Sequence, residues 1–226
     1  MIKAVIFDLD NTLIDFMGAK LSSCNASIDA MIGAGLKISR QKGMKILFEL
    51  YSKYGIEYSR IFQKFLLQTT GKIDMKILSA GIVAYRSVQA NYHKPYKGIF
   101  AVLEKLKTKG YKLAILSDAP ALKAWIRLTE MGIQDYFSAV VTFSDTRKRK
   151  PHELPFKAVL RKLRLQPQEI LFVGDMPQRD IKGAKSMGMK TALAMYGMQI
   201  DFKKYLKENK PDYVLKDVKD ILKIVK

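Results

Sequence analysis

Residues 4–12 read AVIFDLDNT. Four apolar residues make a run short enough for a strand buried on both faces, and the run ends on two carboxylates. The same arrangement returns downstream. Lys112–Leu116 runs into Ser117-Asp118, and Ala139–Thr142 into a loop carrying Arg147-Lys148-Arg149-Lys150-Pro151. Ile170–Val173 runs into Gly174-Asp175-Met176-Pro177-Gln178-Arg179-Asp180. Lys190–Ala194 reads as a fifth strand and Asp212–Leu215 as a weaker sixth. Helical patterns lie between them, over Ile99–Lys109, Ala121–Met131, Leu154–Arg164 and Arg179–Ser186. Gly110, Gly132 and Gly188 stand where C-terminal helix caps fall. Strands alternating with helices predict an α/β fold with a Rossmann-like parallel sheet core.

One stretch breaks the alternation. From about Leu13 to Lys94 the apolar residues recur at helical spacing, as in Ile46, Leu47, Leu50 and Tyr51, or Ile61, Phe62, Phe65 and Leu66. This predicts an inserted α-helical domain over residues 14–94, entered from the loop after the first strand and closed near Pro95. The core is then residues 1–13 and 95–226.

A hydrophobic share of 48% with 27% charged residues excludes disorder and low complexity. The abnormal number is the formal charge of +19, from 40 Lys and Arg against 21 Asp and Glu. Such an excess draws nucleic acid, anionic membrane surfaces or phosphorylated small molecules. It is spread evenly, since residues 14–94 carry 12 bases and 5 acids and the rest of the chain 28 and 16. No basic arm stands out, and the Arg147–Lys150 cluster falls on a strand-end loop. A nucleic-acid-binding module is therefore a secondary reading, as is a phosphatase acting on a nucleic-acid end. The single Cys24 excludes an intramolecular disulfide, and His93 and His152 are too far apart in sequence to suggest a His-rich metal site. The opening MIKAVIF is cut short by Asp8, unlike a signal peptide, and no apolar run reaches 18 residues. A cytoplasmic protein with no membrane partner is expected, as a monomer or a homodimer.

Ligands of open α/β sheets bind beyond the carboxyl ends of the strands, so polar residues there matter most. Singly, each has a plain explanation: Asp and Ser at strand-to-helix junctions cap helices, and Lys150 fits a solvated basic run. Asp8 and Asp10 resist it better. Alternate strand residues share a face, so these two carboxylates would repel unless a cation or proton sat between them. Together, three or four carboxylates, one hydroxyl and one ammonium converge on one sheet edge. Such acids suit a hard divalent cation such as Mg²⁺, and the serine and lysine suit a phosphoryl group.

The four segments, in this order, resemble the four motifs of the haloacid dehalogenase superfamily. The stretch LAILSDAPALKAWIRLTEMGIQDYFSAVVTFSDTRKRKPHELPFKAVLRKL, followed by ILFVGDMPQRDIKGAKSMGMKTALAM, is similar to an archaeal branch of its phosphatase-type members. Ser117 to Lys150 is 33 residues and Lys150 to Asp175 is 25, each near the roughly 30 of one βαβ unit. Asp8 to Ser117 is 109, and the excess is the helical insert, where this superfamily places a cap.

The resemblance implies an Mg²⁺-dependent phosphomonoester hydrolase acting on a small phosphorylated metabolite through an aspartyl-phosphate. Asp8 would be the nucleophile and Asp10 the acid that protonates the leaving group and then activates water. Asp8, the backbone carbonyl of Asp10, and Asp175 would hold Mg²⁺. Ser117 and Lys150 would grip the phosphoryl oxygens beside Asp118, with Asp180 orienting Lys150 or a metal-bound water. The 2-haloacid dehalogenases are the alternative, but halide leaves unprotonated and they typically lack an aspartate at the position of Asp10. A catalytically idle regulator is disfavoured because every motif acid is present. A phosphonate hydrolase would need a Schiff-base lysine from the insert, and Lys20 is not marked out from the others. Asp118 departs from the Asn of many relatives and reads best as a cap for the helix near Ala121. His152 reads as part of a strand-to-helix turn. Trp125 and the insert aromatics Phe48, Tyr51, Tyr54, Phe62 and Phe65 read as core.

Overall fold

The computed structural model describes residues 1–92, 94–197 and 209–225, so His93 lies outside the described residues. Six parallel strands are observed: β1 (Ala4–Phe7), β2 (Lys112–Leu116), β3 (Ala139–Val141), β4 (Ile170–Gly174), β5 (Lys190–Ala194) and β6 (Tyr213–Leu215). Their order in the sheet is β3-β2-β1-β4-β5-β6. Successive strands step outward in one direction from β1 to β3, then in the other from β4 to β6. The reversal opens a crevice between β1 and β4, at the carboxyl ends of the strands. The register aligns Phe7 with Val173 and with Ile115. β1 and its neighbour β4 are enclosed along their whole length, with every residue buried.

The chain divides into two compact units, Met1–Phe16 with His93–Lys226, and Met17–Tyr92. The observed division falls three residues later than the predicted start of the insert at 14. The reason is local pairing: Ile14 bridges Pro95, and Tyr96 N–H donates to Leu13 O at 2.9 Å. The outgoing and returning segments thus lie side by side on the sheet unit.

In the smaller unit, α1 (Phe16–Gly33), α2 (Arg40–Tyr54), α3 (Ile61–Thr70) and α4 (Met75–Tyr92) are the regular elements. Ile28, Met31, Leu47, Phe65 and Leu66 form its centre, with no exposed surface. Lys20 is buried there, donating to Tyr85 Oη at 2.9 Å. Tyr51, Phe62 and Phe65 are core as predicted, and Phe48 packs partly. Tyr54 is exposed instead, stacked on Tyr58 with ring centroids 5.2 Å apart.

In the sheet unit, α5 (Ile99–Thr108), α6 (Ala121–Glu130), α7 (Phe143–Thr146), α8 (Glu153–Leu163), α9 (Lys182–Ser186) and α10 (Ile221–Ile224) follow the strands. One sheet face packs Ile6, Leu116 and Phe172 against Phe156 and Val159 of α8. Three expectations need correction. β3 ends at Val141 because Thr142 already caps α7, both its N–H and its Oγ bonding Asp145 Oδ2. The segment predicted as one helix over Arg179–Ser186 opens as a π-helical turn, Pro177–Ile181, before α9. Trp125 is 45% exposed, because α6 turns its Ala124, Arg127 and Leu128 inward.

Candidate active site

Backbone pairing carries the predicted site residues Asp8 and Ser117 just past the strands. Asp8 N–H donates to Val173 O at 2.8 Å, and Ser117 N–H donates to Val141 O at 2.9 Å. Each residue is thus fixed by the ladder of the neighbouring strand. The Ser117 hydroxyl accepts from Ala119 N–H at 3.1 Å, which turns the chain sharply off β2. His152 caps α8, its Nδ1 accepting from Leu154 N–H at 3.2 Å.

Lys150 is buried, not solvated, at 3% exposure. Its Nζ lies 2.7 Å from Asp8 Oδ1 and 2.7 Å from Asp180 Oδ1, and it donates to Leu116 O at 3.0 Å. Burial alone would pull its pKa down, but the charges of Asp180, Asp8 and Asp118 override that and hold it above the ordinary lysine value. Asp180 is held from the other side, its Oδ2 accepting from Met176 N–H at 2.9 Å. This approach needs Gly174, where an added Cβ would sit 2.6 Å from Asp180 Cβ, Cγ and Oδ2.

Asp8, Asp175 and Asp180 each offer a carboxylate oxygen, and these oxygens lie within 4.8 Å of one another. Burial pushes Asp8 up to about 7, against the pull of Lys150. Burial and then repulsion by Asp180 and Asp8 push Asp175 up to about 9. Asp175 Oδ1 is buried and has no hydrogen-bond partner among the described residues. Oxygen donors alone, surplus negative charge and an orphaned carboxylate oxygen fit a hard divalent cation.

Asp10 has a cation of its own. β1 has ended at Phe7, so the strand alternation that would set Asp10 beside Asp8 no longer applies. The carboxylate of Asp10 instead meets Arg127 Nη1 at 3.0 Å, so each of the two acids has its own cation. Asp118 does not cap α6: the N-cap is Pro120, and Ala121 N–H donates to Ser144 Oγ at 3.0 Å. Asp118 ties two motif loops together. Its Oδ1 accepts from Lys150 N–H at 2.9 Å, and its Oδ2 pairs with Arg179 Nη1 at 3.2 Å.

Sequence reasoning assigned no role to Arg127 or Arg179. For Arg127 a signal exists: an arginine interrupts the apolar row Ala124, Leu128, Met131 on one helix face. For Arg179 there is none, because its partner is 61 positions away.

The family model described as haloacid dehalogenase-like hydrolase matches residues 5–194. The glyceraldehyde 3-phosphate phosphatase of Methanocaldococcus jannaschii is 32% identical, over 100% of this chain and 98% of that protein. The protein of the same name from Pyrococcus abyssi is 36% identical, over 87% of this chain and 83% of its own. Among solved structures, a HAD phosphatase from Thermococcus onnurineus aligns with a TM-score of 0.71 at 24% identity, covering 99% of this chain and 98% of that one. A 2-haloacid dehalogenase from Pseudomonas syringae aligns at 0.68 with 22% identity, covering 100% and 98%. These structural likenesses concern the fold alone, since one fold hosts both chemistries. With the four motif segments converging at the switch point of its sheet and the family model matching well over half of its length, the chain belongs to the haloacid dehalogenase-like hydrolase family.

Proposed function

We propose that this phosphoester hydrolase removes phosphate from a small three-carbon metabolite of the glyceraldehyde 3-phosphate class. The observation that carries the reaction is the buried Asp8–Lys150–Asp180 arrangement at the carboxyl end of the sheet. The substrate class is supported by full-length relatives that bear that name at 32% identity.

Asp8 attacks phosphorus, forming an aspartyl-phosphate as the ester P–O bond breaks, which divides one hard displacement into two easier ones. Asp10, two residues on, gives its proton to the departing alkoxide. Its carboxylate then takes a proton from the water that attacks the aspartyl-phosphate, releasing inorganic phosphate and restoring both acids. Lys150 holds Asp8 in place and offsets charge gathering on the phosphoryl oxygens, with Ser117 beside it. Asp180 keeps Lys150 aimed at Asp8. Asp8, Asp175 and the backbone carbonyl of Asp10 would hold Mg²⁺, which when bound supplies charge neutralisation between nucleophile and phosphate. The insert over residues 14–94 acts as the cap that excludes water and reads the rest of the substrate. Asp10 favours the phosphatase chemistry over dehalogenation, because only the former has a leaving group that needs a proton.

The experiment is inorganic phosphate release with Mg²⁺ from glyceraldehyde 3-phosphate, phosphoglycolate, sugar phosphates and nucleotides, with 2-haloacids as controls. Triose phosphates are expected to give the highest kcat/KM, and Asp8→Asn to lose at least about 10³-fold. Unchanged turnover in Asp8→Asn, or halide release, overturns the reading. A nucleotide or nucleic-acid end as best substrate overturns the substrate class alone.

A further inference from the structure

The wild-type pair most in need of explanation is Arg127 with Asp10. Arg127 sits two turns into α6 and is 3% exposed, an unusual position for a guanidinium on a surface helix. Burying that charge is costly unless it is paired. Its Nη1 lies 3.0 Å from Asp10 Oδ2, and its guanidinium covers the Phe16 ring, with Cζ 4.4 Å from the ring centroid. Phe16 is itself buried. The planar group is therefore held on one side by a ring and at its end by a carboxylate, two constraints that fix direction as well as distance.

We propose that Arg127 is a positioning residue for proton transfer: it locks the Asp10 carboxylate in the orientation from which it serves the leaving group. The inference rests on the acid–base role of Asp10 stated above. Three elements meet to build the lock: the loop after β1, the first residue of α1 and the inner face of α6. Asp10 is followed by Asn11, whose backbone is left-handed at φ 59°, so the loop turns directly after Asp10 and gains definition from a side-chain anchor.

The consequence is selective. An alkyl phosphate expels a poor leaving group that needs the proton, whereas an aryl phosphate such as p-nitrophenyl phosphate expels a good one that does not. In single turnover, Arg127→Met should slow alcohol release from an alkyl phosphate by about 10²-fold, while release of p-nitrophenol from p-nitrophenyl phosphate slows by less than about 5-fold. In that leaving-group step Asp10→Asn should discriminate likewise, and adding Arg127→Met to Asp10→Asn should cost little more there. A merely structural arginine would depress both substrates alike, and that equal loss overturns the proposal. Additive losses in the double variant overturn it as well. Should Arg127→Met fail to fold by circular dichroism, Arg127→Lys takes its place. It keeps the charge but lacks the planar fork, and must show the same leaving-group discrimination to a smaller degree. If Asp10→Asn itself does not discriminate, the acid–base reading falls. If Asp10→Asn discriminates and the Arg127 variants do not, only the present inference falls.

Discussion

Lys150 Nζ lies 2.7 Å from Asp8 Oδ1, joining residues 142 positions apart in the chain. The contact is buried on both sides and is continued by Asp180, also 2.7 Å from the same ammonium. One cation thus serves two enclosed carboxylates. Removing it would leave both anions uncompensated in a place water does not reach, and such a loss is typically worth 3–5 kcal/mol, roughly, in stability.

Lys150→Met is expected to lower kcat by about 10²–10³-fold and to reduce thermal stability. Lys150→Arg keeps the charge, yet a bulky planar fork does not reproduce the three short contacts to Asp8, Asp180 and Leu116 O. It should fold better than the Met variant and still lose about 10²-fold in kcat. Steady-state kinetics with a parallel melt would check this. An arginine variant with full activity would contradict the geometric argument.

The raised acids predict how Mg²⁺ and pH act together. Asp8 stands at about 7 and Asp175 at about 9 in the folded chain, against 3.8 for an ordinary aspartate. Below about pH 4 both states hold these protons and no differential exists. As pH rises, the unfolded chain releases them first, so the metal-free protein loses stability until Asp175 too has ionised, near pH 9. A bound divalent cation replaces the protons, so its stabilising effect should grow over the same range. Melting curves from pH 5 to 9 with and without Mg²⁺ would measure it. A Mg²⁺-induced rise in Tm that shrinks toward high pH would refute the argument.

Gly174→Ala tests the close packing under Asp180. The new Cβ would meet Asp180 Cβ, Cγ and Oδ2 at 2.6 Å, so the carboxylate must move and draw Lys150 with it. A displacement of about 1 Å in such a site costs on the order of 10²-fold in kcat. Wild-type kinetics in the alanine variant would show that the loop yields without disturbing Asp180.

Asp118 links two motif loops, and the two functions of its carboxylate separate by substitution. Asp118→Asn keeps an oxygen for Lys150 N–H and removes the charge facing Arg179. Its kcat should fall by less than about 10-fold, whereas Asp118→Ala loses both contacts and about 10²-fold. Equal values for the two variants would mean that the Lys150 backbone needs no anchor at this point.

The insert has a core of its own. Phe65 is fully enclosed there. Phe65→Ala should cost about 3–5 kcal/mol in that unit, read from urea unfolding. A loss below about 1 kcal/mol would indicate that the unit repacks around the cavity.

The sequence by itself determined the parallel α/β sheet, because six apolar runs of strand length alternate with helical periodicity and each unit must bury its own apolar face. It also determined which polar residues would lie at one edge, since Asp8, Ser117, Lys150 and Asp175 all follow strands and a parallel sheet brings strand ends together. Helical periodicity likewise pointed to α1 to α4, between Phe16 and Tyr92. The pairing of charges was decided only by tertiary structure. Nothing local says that Lys150 leaves a run of exposed bases to sit between Asp8 and Asp180, or that Asp118 spends its carboxylate on Arg179 and not on a helix cap. The physical reason is range. Periodicity and capping act over a few residues, whereas a buried charge selects a partner by desolvation and distance, whatever the sequence separation. Asp10 is the clearest case: two positions from Asp8 in the chain, it is bound to an arginine 117 positions away.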